Sequence, residues 1–146
     1  MVPPLPSLSA VRASLAAWPR LATDRLAPTE PIGVAVSGGA DSVYLLLALW
    51  ADEALRPRLR VWHFDHRVRG AASADDARFV QAWCTTLAVP CAIGERGAAG
   101  AANEAELRAA RLAFFAQQRA AQGVRVVATA HHLDDVVESM LMRLGR

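Results

Sequence analysis

The sequence predicts an α/β fold in which a doubly wound parallel sheet carries helices on both faces. Short, mostly apolar runs recur four times, as expected for strands buried on both sides. Longer segments with apolar residues at helical spacing separate them, and this alternation is typical of parallel sheets. The chain has 146 residues, the usual size of one domain. We therefore expect a single domain over residues 1–146, with an N-terminal helix and a connector within residues 1–30.

The four predicted strands are short and rich in β-branched and aromatic residues. Residues with strong turn preferences precede three of them: Pro31, Pro57 and Gly123. The strands are predicted over residues 32–36, 59–64, 90–93 and 124–129.

The first two helices are predicted from apolar spacing and from local capping. Helix one begins at Asp41 or Ser42 and extends to about Leu55. Ser73 is a good N-cap for helix two, with Asp76 three residues later. The apolar face of helix two is formed by Ala77, Val80, Trp83, Cys84 and Leu87.

Three more helices are predicted in the same way. Asn103 caps helix three, which ends at Gly123, and helix four begins near Leu133. No acidic residue precedes Asp24, which is also typical of a transit peptide, but an apolar stripe favours a packed N-terminal helix. The apolar positions are Leu107, Ala110 and Phe114 in helix three, Val136, Val137, Met140, Leu141 and Leu144 in helix four, and Leu8, Val11, Leu15 and Trp18 in the N-terminal helix.

The composition excludes several classes of site. None of the 16 basic residues is Lys, which excludes a Walker-type P-loop and a Schiff-base lysine. Cys84 and Cys91 form no CxxC pair, and we expect both to be reduced core residues of a cytosolic protein. No apolar run reaches the roughly 18 residues of a membrane span. A net charge of +2 does not by itself indicate a nucleic-acid partner.

A glycine-rich turn over residues 37–42, which we call the phosphate loop, connects strand one to helix one. Such a turn directs free N–H groups and the positive end of the helix dipole at one point, which suits a phosphate. Asp41 fits beside phosphates mainly if a cation lies between them. A capped turn without any ligand is equally compatible with this stretch alone. The loop consists of Ser37, Gly38, Gly39, Ala40, Asp41 and Ser42.

Polar and charged side chains cluster where the predicted strands two and four end. The carboxyl ends of parallel strands meet at one edge of a sheet, where α/β folds bind ligands. All four histidines of the chain lie in these two segments, which favours a functional site over scattered structural histidines. The residues are His63, Asp65, His66, Arg67 and Arg69 after strand two, and Thr129, His131, His132, Asp134 and Asp135 after strand four.

The acidic residues after strand four have more than one interpretation. Asp134 and Asp135 open a helix, where acidic residues also cap the N-terminus. We favour cation binding, with Asp135 facing the phosphates through Mg²⁺. Zinc is the weaker alternative, because carboxylates suit harder cations.

The arginines also have two interpretations. Glu104, Arg108 and Arg111 share one face of helix three, either as a surface ion pair or as an arginine face for phosphate or an RNA backbone. Arg67 and Arg69, in the loop after strand two, have the same two alternatives.

At these residues the chain resembles a known family. The phosphate loop is similar to the SGGxDS pyrophosphate loop of the N-type ATP pyrophosphatases, the PP-loop superfamily. Residues 63–69 resemble the HxxHxLR segment of the tRNA(Ile)-lysidine synthetases, with Arg67 where Gly is common. Residues 103–111 and 130–146 resemble their ExxxRxxR helix and HHxDDxxET stretch. The resemblance covers residues 32–146 and implies an adenine nucleotide alpha hydrolase-like, Rossmann-like domain, incomplete at its C-terminus.

The resemblance also implies roles for the matching residues. ATP lies on the phosphate loop with His63 and Asp65 among its contacts, and Asp41 with Asp134 or Asp135 holds Mg²⁺. The implied catalytic residues are Asp41, His132 and Asp135. The residues implied for substrate or tRNA contact are Arg67, Arg69, Glu104, Arg108, Arg111 and Arg143.

The implied activity is that of a cytoplasmic ligase. It adenylates the wobble cytidine of tRNA(Ile) with ATP and joins free L-lysine to the base, which releases AMP and pyrophosphate. The alternatives are another PP-loop enzyme, such as a tRNA-thiolating enzyme or a GMP or NAD synthetase, or an ATP-binding module without catalysis. No membrane or protein partner is implied, and a homodimer stays open.

Overall fold

A computed structural model describes Ser7, Ser9, Ala10, Ala13 and residues 26–130. Within residues 26–130 strands alternate with helices as predicted. The predicted N-terminal stripe (Leu8, Val11, Leu15, Trp18) and helix four lie outside the described residues. The elements are β1 (Ile32–Ala35), α1 (Ala40–Ala51), a 3₁₀ turn (Arg56–Arg58), β2 (Leu59–Asp65), α2 (Ala71–Leu87), β3 (Cys91–Glu95), α3 (Glu104–Gln122) and β4 (Val126–Thr129).

The described strands form one parallel sheet in the order β3–β2–β1–β4. The chain moves outward from β1 to β2 and β3, and α3 then carries it back to place β4 on the other side of β1. Ile32 pairs with Val126 and Ala35 pairs with Thr129. The predicted doubly wound parallel sheet is therefore confirmed, and its order reverses between β1 and β4. Ligand sites of α/β sheets lie at such reversals.

The main core lies between one face of the sheet and helices α1 and α2. Val34 and Val61 of the sheet are completely buried, as are Leu46 of α1 and Val80 of α2. Burial of an aliphatic side chain of this size stabilises a fold by about 1.5–3 kcal/mol. This packing fixes β1 and β2, and with them the start of the phosphate loop.

Helix α3 covers the opposite face through aromatic contacts. The ring centroids of Trp62 and Phe115 lie 5.7 Å apart, and those of Phe64 and Phe114 lie 5.6 Å apart. Gly94 of β3 lies beneath this layer, where an added Cβ would be 2.5 Å from the Phe114 ring. A glycine in this strand therefore permits the close approach of α3.

Helix one ends earlier than predicted. Its end was expected near Leu55, but α1 ends at Ala51. The Asp52 carboxylate accepts hydrogen bonds from the N–H groups of Ala54 at 2.9 Å and Leu55 at 3.2 Å, which turns the chain out of the helix. The 3₁₀ turn containing Pro57 follows and leads into β2.

The prediction of Ser73 as the N-cap of helix two is wrong. The helix begins at Ala71, after a turn at Gly70 with a φ of 54°. Ser73 lies buried inside the first turn, where its Oγ accepts a hydrogen bond from the N–H of Arg69 at 3.3 Å. The tight turn that glycine permits starts the helix before the better capping residue is reached. Asp76 therefore does not cap this helix.

The start and end of α3 agree with the prediction. Asn103 Oδ1 accepts the N–H of Glu106 at 2.9 Å, the Glu106 carboxylate accepts the N–H of Asn103 at 3.1 Å, and Gly123 ends the helix in the left-handed region. No residue of α3 is fully buried. The predicted buried face is therefore only half-buried; its residues are Leu107, Ala110 and Phe114.

The strand ends differ slightly from the predicted ones. Strand three runs over Cys91–Glu95 instead of residues 90–93, because its pairing with β2 continues from Val61 to Asp65. Strand four is shorter than predicted and begins at Val126.

Both cysteines are free thiols, with Cys84 buried and Cys91 half-buried, which agrees with the expected core positions. The hydrogen bond between them, together with burial, raises the pKa of the Cys84 thiol. No helix in residues 26–130 is long and apolar enough to span a membrane.

Candidate functional site

A cavity of about 760 Å³ lies at the carboxyl ends of β1, β2 and β4. Its position is the one expected for a ligand site, beside the reversal of strand order. The phosphate loop, the end of β2 and one face of α3 form its walls. The polar and aromatic residues that line it are Ser37, Ser42, Trp62, His63, Phe64, Asp65, His66, Arg69, Ser73, Asp76, Arg108, Arg111, Phe115, Arg119 and Thr129.

The phosphate loop is held in shape by its two serines. Ser42 Oγ accepts the N–H of Ser37 at 3.1 Å and donates to the Gly39 carbonyl at 2.9 Å. Gly38 has a φ of 95°, which favours glycine. Helix α1 begins after Gly39 without a side-chain cap, so that the N–H groups of its first turn are presented at the loop. This arrangement can bind an anionic group through backbone N–H donors and the helix dipole.

The end of β2 brings two histidines to the cavity. Nδ1 of His63 lies 2.8 Å from the carbonyl oxygen of Val36, the residue that precedes the phosphate loop. Burial lowers the pKa of His66, and the positive charge of Arg111 lowers it further, while Asp65 acts in the opposite direction. At neutral pH His66 is therefore an uncharged group at the cavity wall.

The third wall is an arginine face on α3. Arg108, Arg111 and Arg119 all line the cavity, with Leu112 and Phe115 between them. Arginine keeps its charge at any physiological pH and binds oxyanions through paired N–H donors. The Arg111 Nε is buried and has no hydrogen-bond partner within the described part of the chain. This wall is suited to a phosphate-containing ligand.

An ion pair that the sequence did not reveal borders the phosphate loop. Arg69 donates to the Asp76 carboxylate at 2.8 Å. A Cβ on Gly38 would lie 3.7 Å from Asp76 Oδ1, so the carboxylate lies directly against the loop. Asp76 thus orients the Arg69 guanidinium at the edge of the cavity.

The predicted site residues fall into four groups. Arg67 and Glu104 lie in the described region but do not line the cavity: the Arg67 guanidinium donates to the Arg96 carbonyl at 3.4 Å, and Glu104 is exposed at the start of α3. Gly38, Gly39, Ala40 and Asp41 form the loop and the first turn of α1 without lining the cavity. Those that line it are Ser37, Ser42, His63, Asp65, Arg69, Arg108 and Arg111; those outside the described residues are His131, His132, Asp134, Asp135 and Arg143.

Arg67 occupies an unusual backbone conformation. Its φ is 55°, in the left-handed region that glycine favours. The Asp65 carboxylate accepts the N–H of Arg67 at 2.7 Å and stabilises this turn. This explains how Arg is accommodated at a position where the lysidine synthetases often have Gly.

Sequence reasoning missed several lining residues, among them Arg119, Phe115 and Asp76. Arg119 lies eight residues after Arg111, so extending the predicted face of helix three would have found it, and Phe115 lies on the same face. Asp76 had no such signal, because its contact with Arg69 depends on where α2 begins.

The described residues contain no group of three or more side chains that could hold a metal ion. Asp41, which belongs to the phosphate loop, supplies one carboxylate in the first turn of α1. Proteins commonly bind Mg²⁺ through one or two carboxylates together with substrate phosphates, so this donor fits that ion. The alternative zinc set includes His131 and His132, which lie outside the described residues.

Comparison with models of protein families agrees with the phosphate-binding α/β domain that the loop and the strand order indicate. The model of the PP-loop domain matches residues 15–146. The chain belongs to the PP-loop domain family. The phosphate loop, which resembles the SGGxDS loop of this family, is called the PP-loop from here on.

Several relatives of this PP-loop domain share one name. The tRNA(Ile)-lysidine synthases of Geobacter sulfurreducens and Bacillus subtilis are 47% and 39% identical to it, over 82% and 77% of this chain. That of Polaromonas naphthalenivorans is 35% identical over 97% of this chain. The chain spans only 26%, 25% and 41% of the lengths of these three relatives.

Solved structures support the fold. The U34-tRNA thiolase NcsA from Methanococcus maripaludis, with its 4Fe-4S cluster, aligns with a TM-score of 0.67 over 93% of this chain and 49% of its own. The NH3-dependent NAD synthetase from Campylobacter jejuni aligns with a TM-score of 0.50, over 85% of this chain and 53% of its own. Both are 16% identical, so the likeness concerns the fold alone.

Proposed function

We propose that this PP-loop domain is the ATP-using part of a tRNA(Ile)-lysidine synthetase, a cytoplasmic tRNA-modifying ligase. The observation that carries the proposal is the cavity in which the PP-loop faces the arginines of α3. The names of the relatives at 35–47% identity support this choice of reaction. Because the chain spans a quarter to two-fifths of their lengths, the complete activity is proposed for the protein that contains this domain.

The PP-loop is proposed to hold the phosphates of ATP. Its backbone N–H groups and the N-terminus of α1 offer donors to the β- and γ-phosphates. Arg108 and Arg111 face the loop across the cavity and supply positive charge for the remaining phosphate or for the tRNA backbone. His63 and Asp65 line the same cavity and are proposed to contact the nucleoside.

Asp41 is proposed to hold Mg²⁺, with Asp134 or Asp135 as the second carboxylate. The ion supplies charge neutralisation at the leaving pyrophosphate. The roles of His132, Asp135 and Arg143 stay predictions from the sequence, as do those of Arg67 and Glu104.

The proposed reaction has two steps. The carbonyl oxygen of the wobble cytidine bonds to the α-phosphorus of ATP, and pyrophosphate leaves. The amine of L-lysine then bonds to the activated carbon, AMP leaves with the oxygen, and the amine loses a proton. The domain contributes mainly by positioning the reactants and stabilising charge on the phosphates.

Thiolation of tRNA is the second candidate, because a thiolase is among the structures with this fold. The cysteines argue against it. Cys84 lies on α2 and Cys91 begins β3, at the opposite end of that strand from the cavity. Neither of them lines the cavity.

The test measures ATP binding first and turnover second. The chain is titrated with MgATP, and AMP release by the protein that contains this domain is then followed with tRNA(Ile) and L-lysine added singly and together. AMP release that requires both substrates supports lysidine synthesis. AMP release driven by a sulfur donor supports thiolation, and ATP binding without AMP release leaves a nucleotide-binding module. A chain that binds no ATP contradicts the proposal.

We expect Asp41→Asn to weaken MgATP binding or use at least tenfold, since the amide oxygen replaces a charged ligand of the ion. Glu53→Gln, which removes an exposed carboxylate beyond the other end of α1, is the matched control and should change neither. Equal Mg²⁺ dependence in wild type and Asp41→Asn would show that the metal assignment is wrong.

A further inference from the structure

His63 is the most buried ionisable group at the cavity, with 3% of its surface exposed. It lies on β2, and its Nδ1 is 2.8 Å from the Val36 carbonyl oxygen. A carbonyl oxygen can only accept a hydrogen bond, so Nδ1 carries the proton and donates it. This contact joins the ring to the residue immediately before the PP-loop.

The other ring nitrogen, Nε2, is buried and has no hydrogen-bond partner among the described residues. In a neutral ring protonated at Nδ1, Nε2 has only a lone pair and can act only as an acceptor. Buried polar atoms without partners are rare and unfavourable, and His63 lines the cavity. A donor group of a bound ligand would satisfy this atom.

The surroundings of His63 indicate which donor it meets. The serines of the PP-loop lie on one side of the cavity and the arginines of α3 lie on another, and these groups serve the anionic part of a ligand. Phe64 and Phe115 add apolar aromatic surface near the same wall. A hydrogen-bond acceptor at this place suits a neutral hydrogen-bond donor on the nucleoside portion of a bound nucleotide.

We propose that His63 is a specificity-determining residue, which accepts a hydrogen bond from a neutral donor of the bound nucleotide through Nε2. The donor is either a ribose hydroxyl or the amino group of the base, and not a phosphate. The inference depends on the proposed function, because it places the phosphates on the PP-loop. The same ring holds the Val36 carbonyl and thereby positions the start of that loop.

Two substitutions separate the two contacts. His63→Asn keeps an N–H donor near the position of Nδ1 and removes the acceptor at Nε2. His63→Gln places its side-chain amide nearer to the position of Nε2 and loses the hydrogen bond to Val36. Circular dichroism and thermal unfolding establish that each variant is folded before its binding is measured.

Binding is measured with MgATP, its 2′-deoxy and 3′-deoxy analogues, and purine riboside triphosphate, which lacks the amino group. We expect one of these analogues to bind wild type about tenfold more weakly than ATP, the effect of one hydrogen bond. In His63→Asn, ATP should bind about as weakly as that analogue, with no further loss for the analogue itself. The sensitive analogue identifies the hydroxyl or the amino group as the donor.

For each analogue, the ratio of its dissociation constant to that of ATP is compared between wild type and His63→Asn. If none of these ratios changes, the inference is overturned, while ATP binding and the proposed function are left intact. A wild-type chain that binds none of the four nucleotides would overturn the proposed function itself, and the nucleotide donor with it.

The tautomer is tested separately, without nucleotide. In a long-range ¹⁵N–¹H spectrum of histidine-labelled protein, the signals that vanish in His63→Asn belong to this ring. We expect the proton on Nδ1, which faces the Val36 carbonyl, and a lone pair on Nε2. A proton on Nε2, alone or on both nitrogens, would overturn the acceptor assignment whatever the outcome of the binding measurements.

Discussion

Arg69 shows how a single exposed side chain becomes part of the site. Its side chain is 69% exposed, and an ion pair at such a surface adds little stability. Its partner Asp76, however, lies against Gly38 of the PP-loop. The pair therefore matters for where a positive charge is placed, at the edge of the cavity.

We expect Arg69→Gln to weaken MgATP binding about three- to tenfold, because a partly solvated charge near the phosphates is lost. Arg78→Gln is the control, since Arg78 forms a similar exposed ion pair with Asp75 outside the cavity. Isothermal titration calorimetry with MgATP measures the affinity of both variants. Equal affinities in the two variants would contradict the placement of Arg69.

His66 makes stability depend on pH in a predictable direction. Its pKa is lowered below 6.5, first by burial and then by Arg111, with smaller effects of Arg96 and His63 in the same direction and of Asp65 in the other. The unfolded chain thus binds a proton at a higher pH than the folded chain. The stabilisation from neutral His66 is complete above pH 6.5 and is lost as the pH falls through the lower, folded pKa.

We expect the free energy of unfolding of the wild type to fall more steeply below pH 6.5 than that of His66→Gln. Urea unfolding between pH 5 and 8 measures both curves. NMR titration of His66 gives its pKa directly, and a value above 6.5 in the nucleotide-free chain would refute the assignment.

At the scale of elements, the fit between β3 and α3 depends on Gly94. An added Cβ would lie 2.5 Å from the Phe114 ring, closer than van der Waals contact allows. The helix or the ring must move, and overpacking of this kind costs about 1–3 kcal/mol. Because α3 carries Arg108 and Arg111, such a shift also displaces the arginine face.

We expect Gly94→Ala to reduce the free energy of unfolding by about 1–3 kcal/mol, as measured by urea unfolding. Gly97→Ala, where an added Cβ meets nothing within 4 Å, is the control and should be nearly neutral. Phe114→Leu in the Gly94→Ala background should recover part of the loss, since the two positions are in contact. Additive effects of the two substitutions would show that the clash is not the cause.

At the scale of the whole molecule, the cavity joins elements from both layers of the fold. The PP-loop follows β1, His63 lies on β2, and the arginine face lies on α3. A ligand that contacts all three binds the folded chain and not the unfolded one. Its binding energy is therefore added to the stability of the whole domain.

We expect MgATP at one hundred times its dissociation constant to raise the free energy of unfolding by about 2.7 kcal/mol. Gly38→Ala should lose most of this effect, because a φ of 95° is strained for alanine. Thermal unfolding with and without nucleotide measures both chains. The same nucleotide-induced shift in Gly38→Ala would contradict the role of the PP-loop.

The sequence predicted most of what local chemistry controls. The phosphate loop, the alternation of strands and helices, the cap at Asn103 and the arginines of helix three all follow from neighbours in the chain. The start of helix two did not, because the turn at Gly70 competed with the cap at Ser73 and was favoured. The end of helix one likewise depended on the Asp52 side chain.

By itself, then, the sequence determined the fold class, the PP-loop and which strand ends carry the polar side chains, since apolar periodicity and glycine turns act over a few residues. Only the tertiary structure decided which of those side chains meet. The contact of Asp76 with the loop, the hydrogen bond from His63 to Val36 and the clearance of Gly94 beneath Phe114 join residues from different elements. Such contacts depend on the register of the strands and the crossing of the helices, which no local pattern specifies.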